Sequence, residues 1–146
     1  MFDHDYYMRR ALMEAQHAFD AGEVPVGAII VCRDQIIARA HNLTERLNDV
    51  TAHAEMQAIT AAAETIVGKY LNDCTLYVTL EPCPMCAGAI GWAQVGTLIY
   101  GAADPKHGYS LLAPRVLHPK TRVIAGILDE ECAELMQTFF RSKRCP

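Results

Sequence analysis

Apolar positions along the chain change their period several times, and each change marks a predicted element. Between Asp5 and Ala21 they fall at Met8, Ala11, Leu12, Ala15, Ala18 and Phe19. Steps of three and four place them on one side of a helix, and Gly22 is a stop signal. The period then shortens. Val26 to Cys32 and Gln35 to His41 are β-branched and apolar, with only Arg33-Asp34 between them, which predicts a strand hairpin. Ala52 to Val67 is alanine-rich and followed by Gly68, which reads as a second helix. Thr75 to Leu80 predicts a strand. Pro82 and Pro84 break it, and a helix opens at Cys83 and runs to about Ala93, since proline is tolerated in a first turn. Thr97 to Tyr100 is a further strand. Gly101 to Thr121 contains Pro105, Pro114 and Pro119 and reads as a long connection. Arg122 to Ile127 predicts the last strand. Asp129 is suited to cap a final helix with Glu130 and Glu131 in its first turn; Cys132, Leu135, Met136, Phe139 and Phe140 form its apolar face.

The resulting order is α-β-β-α-β-α-β-β-α. Strand–helix–strand steps in the middle imply parallel pairing, and the opening hairpin is antiparallel. An α/β fold follows, with a mixed sheet of about five strands and helices on both faces. No repeat or linker divides the chain, so residues 1–146 are expected to form one domain.

Composition supports that outline and narrows the setting. Apolar residues make up 51% of the chain and charged residues 21%, which is enough for a core and ordinary for a globular protein. The apolar runs fall far short of a bilayer span, and Met1 to Asp5 has no signal-peptide character, so a cytoplasmic protein without membrane contact is expected. Of the six cysteines, Cys32, Cys74 and Cys132 read as small buried hydrophobes. The net charge of −4 argues against a surface built wholly for nucleic acid. Yet Pro105 to Arg122 lacks any Asp or Glu and carries Lys106, Arg115, Lys120 and Arg122 with His107 and His118; the tail adds Arg141, Lys143 and Arg144. This stretch is either a local basic face for phosphates or solvated loop charge.

Two short segments carry the candidate chemistry. His53-Ala54-Glu55 lies near a predicted helix start, and Pro82-Cys83-Pro84-Met85-Cys86 lies at a strand-to-helix turn. Cys-x-x-Cys at a helix start puts both sulfurs on one side of the first turn, where the helix dipole and a cation favour thiolates. One imidazole from the second helix start completes three protein ligands, the number a catalytic zinc needs if a water is to take the fourth position. Glu55, two residues past His53, does not share its direction on the helix. It is placed to move a proton between that water and a substrate. His-x-Glu followed by Pro-Cys-x-x-Cys is the pattern of zinc-dependent nucleobase deaminases. A Cys83–Cys86 redox pair and a zinc-stabilised RNA-binding module without activity are the competing readings.

The chain resembles the bacterial tRNA adenosine deaminases of the cytidine-deaminase-like superfamily, from about Tyr7 to Arg144. The resemblance is carried by Glu23-Val24-Pro25-Val26-Gly27-Ala28, Thr51-Ala52-His53-Ala54-Glu55, Leu76 to Cys83, Met85 to Ile90, and Gly126-Ile127-Leu128 with Glu131-Cys132-Ala133. It implies the three-layer α/β/α cytidine-deaminase fold, a homodimer and one zinc ion per chain. It also implies hydrolytic deamination of adenosine to inosine at the wobble position of a tRNA anticodon stem-loop. By the same resemblance, Asn42 binds the base, Pro25, Val26, Ala54 and Leu80 line its pocket, and Asp104 lies near the flipped nucleotide's sugar and backbone. Read from the residues alone, Asn42 is equally a turn-former after a strand, and Asp104 a loop residue before Pro105. Ala103 stands where the family often has a basic residue. The closest rival function is deamination of a free base or nucleoside of guanine or cytosine type, a branch that shares Pro82-Cys83-Pro84-Met85-Cys86.

Overall fold

The computed structural model describes residues 2–144. The outermost ends of the predicted 1–146 domain, with Cys145, lie outside the described residues. The elements run α1 (His4–Asp20), β1 (Gly27–Cys32), β2 (Gln35–His41), α2 (Ala54–Ile66), β3 (Cys74–Leu80), α3 (Pro84–Ala93), β4 (Thr97–Ala102), α4 (Tyr109–Leu112), β5 (Arg122–Ala125) and α5 (Asp129–Arg144). The five strands form one sheet in the order β2-β1-β3-β4-β5. β1 pairs antiparallel with β2 and β3, whereas β3–β4 and β4–β5 are parallel. The mixed five-stranded sheet is the one the sequence predicted.

Alternation along the strands sorts the core into two halves. Ala28, Ile30, Leu76, Val78, Leu98 and Tyr100 face one side with Ala54, Ala58, Ala62, Ala87 and Ile90 from α2 and α3. Ile29, Val31, Tyr77 and Ile99 face the other with Tyr7, Met8, Ala11 and Cys132 from α1 and α5. Three layers result. The inner strand β1 is buried on both faces, which explains its unbroken apolar run. Arg33 and Asp34 both take positive φ, 51° and 63°, the two-residue hairpin turn whose twist suits the flanking strands.

Several boundaries differ from the sequence reading. α1 starts one residue earlier than predicted, and Asp3 caps it by accepting the Tyr6 N–H at 2.8 Å. Asp129 is the first residue of α5, not its cap, and accepts the Glu130 N–H. β5 ends at Ala125 because Gly126 turns the chain at φ 89°. The long connection holds the one-turn helix α4, too short to leave a periodic signal. Cys74 and Cys132 are buried as expected, but Cys32 is only half-buried, at the end of β1 beside the hairpin turn. Phe140 is 42% exposed and does not join Phe139 in the core. It borders a groove with Leu80, Asp104 and Lys106.

Gly27 sets the distance between α1 and the sheet. A β-carbon there would overlap the Ala11 carbonyl oxygen and the Ala15 nitrogen, both backbone atoms of α1. No side-chain rotation relieves such a clash. Gly27→Ala is therefore expected to destabilise the fold by about 3 kcal/mol, seen as a Tm lower by roughly 6–12 °C in a thermal melt. An unchanged Tm would show that α1 shifts freely on the sheet.

Candidate active site

β3 and β4 run parallel, so their C-terminal ends lie side by side, and the chain turns from β3 directly into α3. Cys83 is the N-cap of α3, Pro84 fills the first helical position, and Cys86 follows in the first turn. His53 is the N-cap of α2 in the same extended conformation. The positive ends of two helices thus meet at one edge of the sheet. His53 Nδ1 lies 3.7 Å from Cys83 Sγ and 3.4 Å from Cys86 Sγ. A tetrahedral zinc ion with its usual bond lengths to nitrogen and sulfur separates those atoms by about 3.6 Å. The three donors therefore fit such an ion as they stand. Among the described residues, this group of converging donors has three members, His53, Cys83 and Cys86.

The electrostatics agree with that fit. Cys83 is pulled down to about 4, chiefly because the Cys86 thiol donates to it, with His53 adding a further bond. The same proton-sharing, together with burial, pushes Cys86 far up, and the bond with Cys83 raises His53. Donor atoms that share protons over such distances are arranged as a cation would hold them. Glu55 is buried in the first turn of α2, and burial pushes its carboxyl up to about 7. A carboxyl poised near neutrality can both accept and return a proton.

These groups open onto a cavity of about 420 Å³ lined by Val24, Val26, Asn42, Ala54, Leu80 and Asp104, among others. The size suits a nucleobase-sized ligand. The family model for MafB19-like deaminases matches residues 2–144. The chain is 44% identical to the tRNA-specific adenosine deaminase of Bacillus subtilis, over 99% of this chain and 92% of the relative. The chain belongs to the tRNA-specific adenosine deaminase family. A solved structure from work on A-to-I editing by tRNA:A34 deaminases at the wobble position superposes on this deaminase with a TM-score of 0.83. It is 43% identical and covers 89% of this chain and 98% of its own. Guanine deaminase from Bacillus subtilis is more distant, with a TM-score of 0.69 and 33% identity, covering 98% of this chain and 94% of that one.

Of the residues predicted for the deaminase pocket, Val26, Asn42, Ala54, Leu80 and Asp104 border the cavity with His53, Glu55 and Cys83. Pro25 does not. It is fully buried, and its neighbours Val24 and Val26 form that part of the wall. Asn42 is buried and uses both ends of its amide: Nδ2 donates to the Val24 carbonyl at 3.4 Å, and Oδ1 accepts the Thr44 N–H at 3.3 Å. It is thus a turn-former as well as a wall residue. Both bonds are long, so a ligand's polar edge competes with them readily. Asp104 likewise turns its loop, accepting the N–H groups of Lys106 and His107 at 3.1 and 3.0 Å.

Two buried carboxylates that the sequence did not single out brace the loops beside the pocket, and Glu81 is part of its lining. Glu81, 4% exposed, accepts the N–H groups of Asp104 at 3.0 Å and Ser110 at 3.1 Å, and the Ser110 hydroxyl. Gly108 lies so close to this carboxylate that any β-carbon would overlap it. Glu23, 1% exposed, accepts the N–H groups of Glu45 and Arg46 at 3.0 and 2.8 Å. Each ties down one loop beside the cavity. Gln57 works similarly, donating to the carbonyls of His41 and Ala52 at 2.9 and 3.1 Å and so holding the chain on either side of the 42–51 loop. The available signal was a charged residue set tightly against an apolar strand end, as in Leu80-Glu81-Pro82. Nothing local identifies its partners.

Glu81→Ala is expected to leave several buried donors unpaired and to cost about 3 kcal/mol or more, measured by denaturant unfolding. Ser110→Ala keeps the backbone bond and should cost about 1 kcal/mol. Equal losses for the two variants would show that Glu81 does not organise the loop.

Proposed function

We propose that this protein converts adenosine to inosine at the wobble position of a tRNA anticodon stem-loop, with one zinc ion per chain held by His53, Cys83 and Cys86. The observation that carries the reading is the match between the 3.4 and 3.7 Å donor separations and a tetrahedral site with one protein ligand fewer than a structural site. A bound zinc supplies Lewis acidity that brings the pKa of a water down to about 7.

The chain's own residues do the rest. Glu55 takes the proton of the attacking water, passes it to the purine ring nitrogen, and delivers a proton to the departing amine. Val26, Ala54 and Leu80 wall the base from solvent, and Asn42 offers its amide to the purine edge. A loop base is already unpaired, so its extrusion costs little. Next to the pocket, a groove of about 520 Å³ shares Val24, Leu80, Asp104 and His107 with it and continues past Lys106 to Phe140. Its path gives a flanking nucleotide both a cation and an aromatic face. Among the described residues no helix is long and apolar enough to cross a membrane. A tRNA substrate places the enzyme in the cytoplasm.

The homodimer is part of the same proposal. Met85 and Trp92 lie seven residues apart on one face of α3, and Trp92 is 86% exposed. An exposed tryptophan on the helix that carries a metal ligand suits an interface with a second copy. Trp92→Glu is expected to turn a dimer into a monomer in light scattering. A dimer of unchanged stability in that variant would place the interface elsewhere.

Ammonia release from an anticodon stem-loop, free guanine, free cytosine and adenosine tests the substrate. The stem-loop is expected to react and the free compounds to stay intact. Ammonia from guanine or cytosine and none from the stem-loop would instead assign the free-base branch, and binding of the stem-loop with no ammonia would assign a zinc RNA-binding module. Glu55→Gln should lower turnover about 10²–10⁴-fold while zinc content, measured on the same preparation, stays at the wild-type level.

A further inference from the structure

A second cluster of metal-ligating side chains lies outside the pocket. Glu14, His17 and His41 present donor atoms that are all within 4.8 Å of one another. Glu14 and His17 share one face of α1 at i and i+3, and His41 ends the edge strand β2. What brings helix and strand together is Gly27. It is the cross-strand partner of His41. It is also the residue whose missing β-carbon lets α1 close on the sheet, with the Glu14 β-carbon among the atoms in its place. Backbone packing therefore sets the distance between Glu14 and His41.

Each imidazole meets a different oxygen of the Glu14 carboxylate. His41 Nδ1 is 3.2 Å from Glu14 Oε1, and His17 Nδ1 is 3.6 Å from Glu14 Oε2. One donor atom from each of the three residues lies within 4.8 Å of the others, and small side-chain rotations suffice to reach the spacing of about 3.4 Å that a tetrahedral ion with bonds near 2.1 Å requires. The Glu14 and His41 side chains are 15% and 25% exposed, whereas His17 is 59% exposed. Two donors are thus held in place and the third stands at an open side, where an ion enters and water completes its shell.

We propose that Glu14, His17 and His41 bind a divalent first-row transition ion at a site separate from the pocket. Two imidazoles and one carboxylate suit zinc, cobalt, nickel or copper, and are poor ligands for magnesium or calcium, which prefer oxygen. The ion ties α1 to the end of β2. That end leads directly into Asn42 on the pocket wall, and the His41 carbonyl accepts the Gln57 amide at 2.9 Å. An ion here stiffens the segment that carries Asn42 without touching the substrate.

Equilibrium dialysis of the purified protein against Zn²⁺, followed by metal analysis, tests the site. Wild type is expected to hold one equivalent more than His17→Ala and one more than His41→Ala. Saturating Zn²⁺ should raise the Tm of wild type more than that of His17→Ala, the variant whose exposed side chain makes misfolding least of a concern. Loss of the pocket ion would lower all the counts together, so the difference reports this cluster alone. Equal zinc content in wild type and His17→Ala would overturn the proposal and leave His41 as a hydrogen-bond partner of Glu14 and His17 as its ion-pair neighbour only.

Discussion

The structure depends on the meeting of two helix N-termini at one edge of a sheet. His53 and Cys83 each occupy an N-cap, the position where a side chain still projects beyond the helix and the dipole is most positive. The parallel pairing of β3 with β4 and the antiparallel pairing of β3 with β1 decide where those helices begin. The donor set is therefore a product of the sheet. If β3 slipped by one residue against its neighbours, its side chains would exchange faces and the α3 start would move away from His53.

Around this centre the chain holds its loops with buried carboxylates. Glu23 and Glu81 are almost fully enclosed, which is costly for an anion unless hydrogen bonds replace the lost water. Backbone N–H groups from the 45–46 and 104–110 segments supply them. No described buried side-chain nitrogen or oxygen is left without a partner. The resulting order matters for the pocket, because Asp104 and His107 lie on one of these loops and Thr44 on the other. Glu55 is buried as well, and burial pushes its carboxyl up to about 7 at the place where the proposed reaction moves a proton.

Membership of the deaminase family joins these pieces. In the proposed reaction the metal donors and Glu55 would supply the proton and water chemistry, while the walls and loops would hold the base that receives it. The groove from Leu80 past Lys106 to Phe140 runs from the cavity onto a stretch of chain that has no acidic residue between Pro105 and Arg122. Of that stretch only Lys106 and His107 are basic residues lining the groove, whereas Arg122 pairs with Thr97 at the opposite end of β4, so any approach of phosphates to the pocket relies on those two side chains.

By itself the sequence determined the elements, the mixed sheet and the metal-ligand pattern. These are written in local periodicity and in the short spacings His53-x-Glu55 and Cys83-x-x-Cys86, which one or two helical turns translate directly into geometry. It also marked Asn42, Asp104 and Leu80, through a resemblance carried by whole blocks of residues. It did not distinguish Pro25 from Val24, because which residue of an irregular segment faces a cavity depends on what packs behind it. It left α4 unseen, because a four-residue helix has no period. Glu23, Glu81 and the Glu14–His17–His41 cluster were decided only by the tertiary structure. Apart from the i, i+3 pair Glu14–His17, the partners lie 22 to 29 residues away, and long-range hydrogen bonds leave no trace in composition or spacing.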